Sequence, residues 1–157
     1  MIKLVIFDDE VLLRGNCRLG DVLPPQHAAG DTVYDDYGHS LTLLPGAKHV
    51  LEELHQRGIY ASLNSTNYAG NAIAVLSLLG IWEWFIFPMI NTVEKGLNCQ
   101  EILRKFRQRG VEIRNEEVIF IEMQAENLES AARLLPGCKA LQMHKDIFDI
   151  SDLLLLL

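Results

Sequence analysis

The sequence predicts a three-layer α/β fold, in which a doubly wound, mostly parallel sheet carries helices on both faces. Three observations point there. Short apolar runs rich in branched residues recur along the 157 residues, and helix-length amphipathic stretches alternate with them. Most of those stretches stop at a glycine, the residue that best closes a helix in a left-handed conformation. One domain spanning residues 1–157, with a small insertion at about residues 15–45, is the expectation for this length. An apolar share of 49% against 22% charged residues excludes a disordered chain.

The first run, Ile2-Lys3-Leu4-Val5-Ile6-Phe7, reads as a buried strand that ends abruptly at three acids. Residues 15–45 lack helical periodicity and hold Pro24-Pro25; Asp31-Thr-Val-Tyr and Ser40-Leu-Thr-Leu-Leu flank Asp35-Asp-Tyr-Gly38, which predicts a β-hairpin. An insertion at that point would hang over the carboxyl ends of the strands, as a small cap or as a plain surface loop. A helix over 47–57 carries Val50, Leu51 and Leu54 and stops at Gly58. Strands are then expected over 59–63, 84–90, 118–121 and 139–143, and helices over 69–79, 99–108 and 126–135.

A net charge of −7 gives no attraction to a nucleic-acid backbone or an anionic membrane surface. Arg104, Lys105, Arg107 and Arg109 share one predicted helix and read as a solvated face. Cys17, Cys99 and Cys138 are odd in number and widely spaced, which suggests neither disulfides nor a zinc site and favours a reducing cytoplasmic setting. No targeting signal or membrane-length apolar run is visible, so neither nucleic acid nor membrane is expected as a partner. The terminal run of five leucines, 153–157, should dock on its own domain, with a homodimer contact as the sharper alternative.

Asp8-Asp9-Glu10 at the end of a buried strand would converge carboxylates that repel unless a hard cation such as Mg²⁺ lies among them. An exposed turn of solvated acids is the plainer reading. The later strands end on further polar groups: Asn64-Ser65-Thr66-Asn67, then Lys95, then Glu122. Small donors between strand and helix suit an anion, although a helix cap would use the same residues. Lys95, placed before a helix, would pair with a phosphoryl oxygen and the carboxylate beneath it.

Acid, hydroxyl, lysine and acid, each at the end of a successive strand, resemble the haloacid dehalogenase superfamily of phosphohydrolases. The likeness is strongest to its magnesium-dependent phosphatase family, with a strand ending in Phe7-Asp8 and the stretch Gly30-Asp-Thr-Val-Tyr-Asp-Asp-Tyr-Gly-His-Ser-Leu-Thr-Leu-Leu-Pro45. Leu78-Leu-Gly-Ile-Trp-Glu-Trp-Phe85, the lysine, and Ile119-Phe-Ile-Glu122 with Asn127 also fit, so the likeness covers residues 3–143. It implies that Asp8 is the nucleophile of an aspartyl-phosphate, that Glu10 is the acid and base, and that Ser65, Thr66 and Lys95 hold the phosphoryl group. It further implies Mg²⁺ on Asp8, Glu10 and Glu122, and as substrate a small phosphorylated molecule or phosphorylated side chain.

The chain departs from that pattern. The family's D-x-D-x-T is Asp8-Asp9-Glu10-Val11-Leu12, and its paired aspartates are Glu122-Met123. Glu10 has the right chemistry on a longer arm, and a shift of about 1 Å can cost on the order of 100-fold in rate. Met123 offers a thioether where a hard cation wants oxygen, which weakens the metal site unless Glu126 or water fills the gap. Three readings follow: a phosphoric monoester hydrolase; a catalytically impaired descendant acting as a binding or interaction module; and a receiver-like phosphoacceptor domain, which also opens on an apolar strand and acids. The receiver lacks its aspartate after a third strand.

Overall fold

The computed structural model describes residues 1–157. Strand β1 (Leu4–Phe7) runs into a one-turn 3₁₀ helix, Asp9–Val11. Four short strands follow: β2 (Leu13–Gly15), β3 (His27–Ala29), β4 (Thr32–Tyr34) and β5 (Ser40–Leu43). The remainder alternates through α1 (Ala47–Gln56), β6 (Tyr60–Ser65), α2 (Ala69–Leu78), β7 (Met89–Ile90) and α3 (Lys95–Gln108). It continues through β8 (Val118–Glu122), α4 (Ala125–Leu134) and β9 (Lys139–Gln142) to a terminal 3₁₀ helix, Ile150–Leu156.

The main sheet has five parallel strands in the order β7-β6-β1-β8-β9. Val5 and Phe7 face α1 and α2, packing among Val50, Leu51, Leu54, Val75 and Leu76. Leu4 and Ile6 face α3 and α4, packing among Cys99, Ile102, Phe106 and Leu128. Because both faces are covered, every residue of β1 is apolar and fully buried, which is why its sequence does not alternate. The predicted three-layer architecture is the one observed.

From β1 the chain builds outward through β6 and β7, then returns to the other side of β1 to add β8 and β9. This reversal, between β1 and β8, opens a crevice at the carboxyl ends of the strands, where open α/β sheets bind ligands. Counting only main-sheet strands, the order is 3-2-1-4-5, whereas flavodoxin-like receivers use 2-1-3-4-5. The receiver reading is therefore corrected by topology.

Three further expectations change. The strand expected over 84–90 shrinks to Met89–Ile90, with a 3₁₀ turn at Trp82–Trp84 and an isolated bridge from Phe85 to Ala61. Phe87 has a positive φ of 53° and Pro88 has no N–H, and together they interrupt an extended run. The helix expected from residue 99 begins at Lys95, so the lysine lies inside it rather than before it. The hairpin of β4 and β5 is part of a four-stranded antiparallel sheet, β2-β5-β4-β3.

The terminal 3₁₀ helix packs on α1 through Ile150 and Leu153, while Leu155 projects outward with 83% exposure. No helix is long and apolar enough to cross a membrane.

Candidate active site

Asp8 continues the β1 ladder by donating its N–H to the Ile121 carbonyl at 3.0 Å. Its Oδ2 accepts the Glu10 N–H at 3.0 Å, capping the 3₁₀ turn and fixing the side chain over the carboxyl edge of the sheet. Oδ1 accepts from Lys95 Nζ at 2.7 Å, in a pair whose side chains are only 4% and 6% exposed. Lys95 opens α3, where the helix dipole disfavours a cation, and its ion pair with Asp8 offsets that cost. The ammonium also donates to the Asn64 carbonyl. In return Asn64 Nδ2 donates to the Lys95 carbonyl at 2.9 Å, and Asn98 Nδ2 donates to Asn64 Oδ1 at 3.1 Å. These bonds tie the start of α3 to the end of β6.

Glu122 closes β8 beside Asp8. Its carboxylate accepts from the Met123 N–H and from Asn127 Nδ2, one turn into α4. Burial, then the Asp8 charge, raise its pKa above the ordinary glutamate value.

Asp9 is almost fully buried, with Ser65 behind it. Ser65 Oγ donates to Asp9 Oδ1 at 2.7 Å, and Asn67 Nδ2 donates to Ser65 Oγ at 2.8 Å and to Asp9 Oδ1 at 3.4 Å. Burial and the Asp8 charge push the Asp9 carboxyl up to about 7, against the lowering pull of Ser65 and Lys95.

A cavity of about 220 Å³ opens over these groups and is lined entirely by polar and charged residues. It brings together Asp8, Glu10, Thr66, Lys95 and Glu122. Ser65 is fully buried and does not reach the cavity wall; Asp9 does. Glu10 lines the cavity but is exposed to solvent. Leu12 is fully buried in the core, Met123 lines a neighbouring cavity with Leu13 and Leu41, and Glu126 is exposed away from the lining.

The sequence pointed to Asp9, Asn67 and Asn127 only as members of their motifs and did not point to Arg18 or Gln124, yet all five line the cavity. Asp9 had a signal, being an acid adjoining a fully apolar strand. Arg18, whose Nη2 donates to the Thr66 carbonyl at 2.6 Å, comes from the irregular segment after β2 and carried none.

No three His, Cys, Asp or Glu side chains gather into a metal-holding cluster. Magnesium asks for less, since one or two carboxylates suffice when water and a substrate phosphate complete its shell. Asp8 and Glu122, both on the cavity wall, meet that requirement.

No protein-family model matches the chain, and no curated protein matches it in sequence. Solved structures do match in fold. The N-terminal part of a Bacteroides fragilis protein, containing a phosphatase domain complexed with Mg, superposes at a TM-score of 0.63 with 17% identity over 92% of this chain. A predicted phosphoglycolate phosphatase from Haemophilus somnus gives 0.62 with 16% identity over 74%, and a haloacid dehalogenase superfamily hydrolase from Ehrlichia chaffeensis gives 0.59 with 17% over 72%. The chain spans 37% of the Bacteroides protein, 57% of the Haemophilus protein and 56% of the Ehrlichia protein. At these identities the shared property is architecture: the chain has the fold of the haloacid dehalogenase phosphatases.

Proposed function

We propose that the chain is a metal-dependent phosphatase-like protein that hydrolyses a phosphomonoester through an aspartyl-phosphate on Asp8. The observation that carries this is the buried Asp8–Lys95 pair at the end of the central strand, facing a wholly polar cavity. An Asp8 oxygen attacks phosphorus, the bond from phosphorus to the ester oxygen breaks, and Glu10 gives that oxygen its proton. Glu10 then takes a proton from water, whose oxygen attacks the same phosphorus. The phosphorus–Asp8 bond breaks, releasing inorganic phosphate and the free carboxylate. Lys95 balances charge on Asp8 throughout, and Thr66 and Ser65 are the hydroxyls assigned to the phosphoryl oxygens.

Asp8 and Glu122 would hold Mg²⁺, which would supply the positive charge that screens carboxylate from phosphate. The cavity volume suits a small phosphorylated molecule, or a phosphorylated side chain whose remainder lies outside. Residues 15–45 serve as the cap of a single domain, reaching the site through Arg18. All three cysteines are free, in keeping with a cytoplasmic setting.

A second reading, a binding module with little turnover, is favoured by the bond that holds Ser65 to Asp9 and by the buried hydrocarbon of Leu12. Hydrolysis of an aryl phosphate in the presence of Mg²⁺ separates the two. The enzyme reading expects turnover that Asp8→Asn lowers on the order of 10³-fold or more, because the amide cannot attack. Absence of turnover in the wild type leaves the binding module.

A further inference from the structure

We infer that Asp9 is an internal competitor for the phosphoryl group, its carboxylate taking the hydrogen bonds that a phosphate would otherwise receive. The inference rests on reading the Asp8 cavity as a phosphoryl site, and three observations carry it. Ser65, the hydroxyl at the end of β6, is fully buried and absent from the cavity wall, while Asp9 forms part of that wall and accepts the Ser65 hydroxyl at 2.7 Å. Asn67 Nδ2 is likewise turned onto Ser65 Oγ and Asp9 Oδ1, so two neutral donors of the strand-end segment converge on one carboxylate oxygen. Finally, no buried side-chain polar atom lacks a partner, so the Ser65 hydroxyl proton is already committed to Asp9.

A carboxylate and a phosphoryl oxygen ask for the same donors, and both are anionic. Binding phosphate beside Asp8 therefore requires Asp9 to release Ser65 and to remain next to a second anion, a cost that neither a neutral nor an apolar residue at position 9 would impose. The consequence is a site whose affinity for free phosphate and small phosphate esters is low. Asp9 acts here by occupying donors, and neither attacks nor protonates anything.

Binding of inorganic phosphate, followed by calorimetry on the full chain with Mg²⁺ present, tests this on four proteins: wild type, Asp9→Ala, Ser65→Ala and the double variant. Asp9→Ala should bind phosphate on the order of 10- to 100-fold more tightly, the range expected for freeing hydrogen bonds held by a charged group. The double variant should lose most of that gain, because the freed Ser65 hydroxyl makes it. Ser65→Ala in the wild-type background should weaken binding less than it does beside Asp9→Ala, since there phosphate gains the hydroxyl only by displacing Asp9; Asp9→Leu, close in shape and without an acceptor, takes the place of Asp9→Ala if the smaller side chain disturbs folding. Asp9→Ala binding no tighter than the wild type, or Ser65→Ala weakening binding equally in the wild type and in Asp9→Ala, overturns the competitor role. If the wild type hydrolyses aryl phosphate, that result leaves the phosphatase reading standing. Absence of phosphate binding in all four proteins overturns both.

Discussion

Lys95 and Asp9 show how differently two buried charges are stabilised. The Lys95 ammonium faces a carboxylate at 2.7 Å and a backbone carbonyl, so its charge is balanced where it lies. Removing it leaves Asp8 buried without its counter-charge, which costs about 3–5 kcal/mol in comparable pairs. Lys95→Met should lower unfolding free energy by that amount in urea titration, and adding Asp8→Asn should recover much of the loss. Asp9 is the opposite case, since burial and Asp8 raise its carboxyl from 3.8 to about 7. A raised acid binds its proton more tightly in the folded state, so the folded chain holds more protons than the unfolded chain between those two values. Asp9 therefore makes stability fall as pH rises from about 4 to about 7, with the penalty complete above the upper value. Asp9→Asn should flatten that part of the stability–pH curve and be more stable than the wild type by a few kcal/mol at pH 8 (about one unit above the raised value). Equal slopes for the two proteins, measured by urea unfolding across that window, would contradict this placement of Asp9.

At the scale of elements, the regular parts were legible because burial dictates pattern. Strands β1, β6, β8 and β9 fall within a residue or two of their expected ranges, and β1 and β8 were plainest, because a strand covered on both faces reads as an apolar run. Helices α1, α2 and α4 were equally plain from their stops. What the sequence hid was short or set by tertiary contact. Strands β2 and β3 have three residues each, too few for alternation to show. The first turn of α3, residues 95–98, lay outside the expected helix, and its Gly96 is a packing residue: a Cβ there would lie 2.5 Å from the Ser130 carbonyl oxygen. That close approach seats α3 on α4 and sets Lys95 on Asp8. Gly96→Ala should push the helices apart, lower the melting temperature and reduce phosphate turnover, with the loss exceeding the modest gain in helix propensity. A variant as stable and active as the wild type would show that the contact does not position Lys95. The site was legible by the same logic. Asp8 and Glu122 sit at strand ends that the pattern located, Lys95 was named just ahead of a helix that in fact begins on it, and Asp9 and Asn67 were named within their motifs, whereas Arg18 became a site residue only through folding.

Across the whole molecule, the order of strands creates the crevice and the irregular segment after β2 contributes Arg18 to its rim. The cavity carries four acids, Asp8, Asp9, Glu10 and Glu122, against two cations, Arg18 and Lys95. An excess of like charge at one point is costly, and it is relieved when protons or a cation join the site. This charge balance is why an anionic substrate and Mg²⁺ should enter together rather than separately. Burial first, and then this imbalance through the Asp8 charge, raises the pKa values of Asp9 and Glu122. If Asp8 accepts a phosphoryl group, beryllofluoride, a mimic of that group, should bind to its carboxylate, and ¹⁹F NMR reads that binding. With Mg²⁺ present, the wild type should show bound-fluoride resonances that vanish in Asp8→Asn and are lost on removing the metal. Bound resonances that persist unchanged in Asp8→Asn, or none at all in a folded wild type, would contradict it.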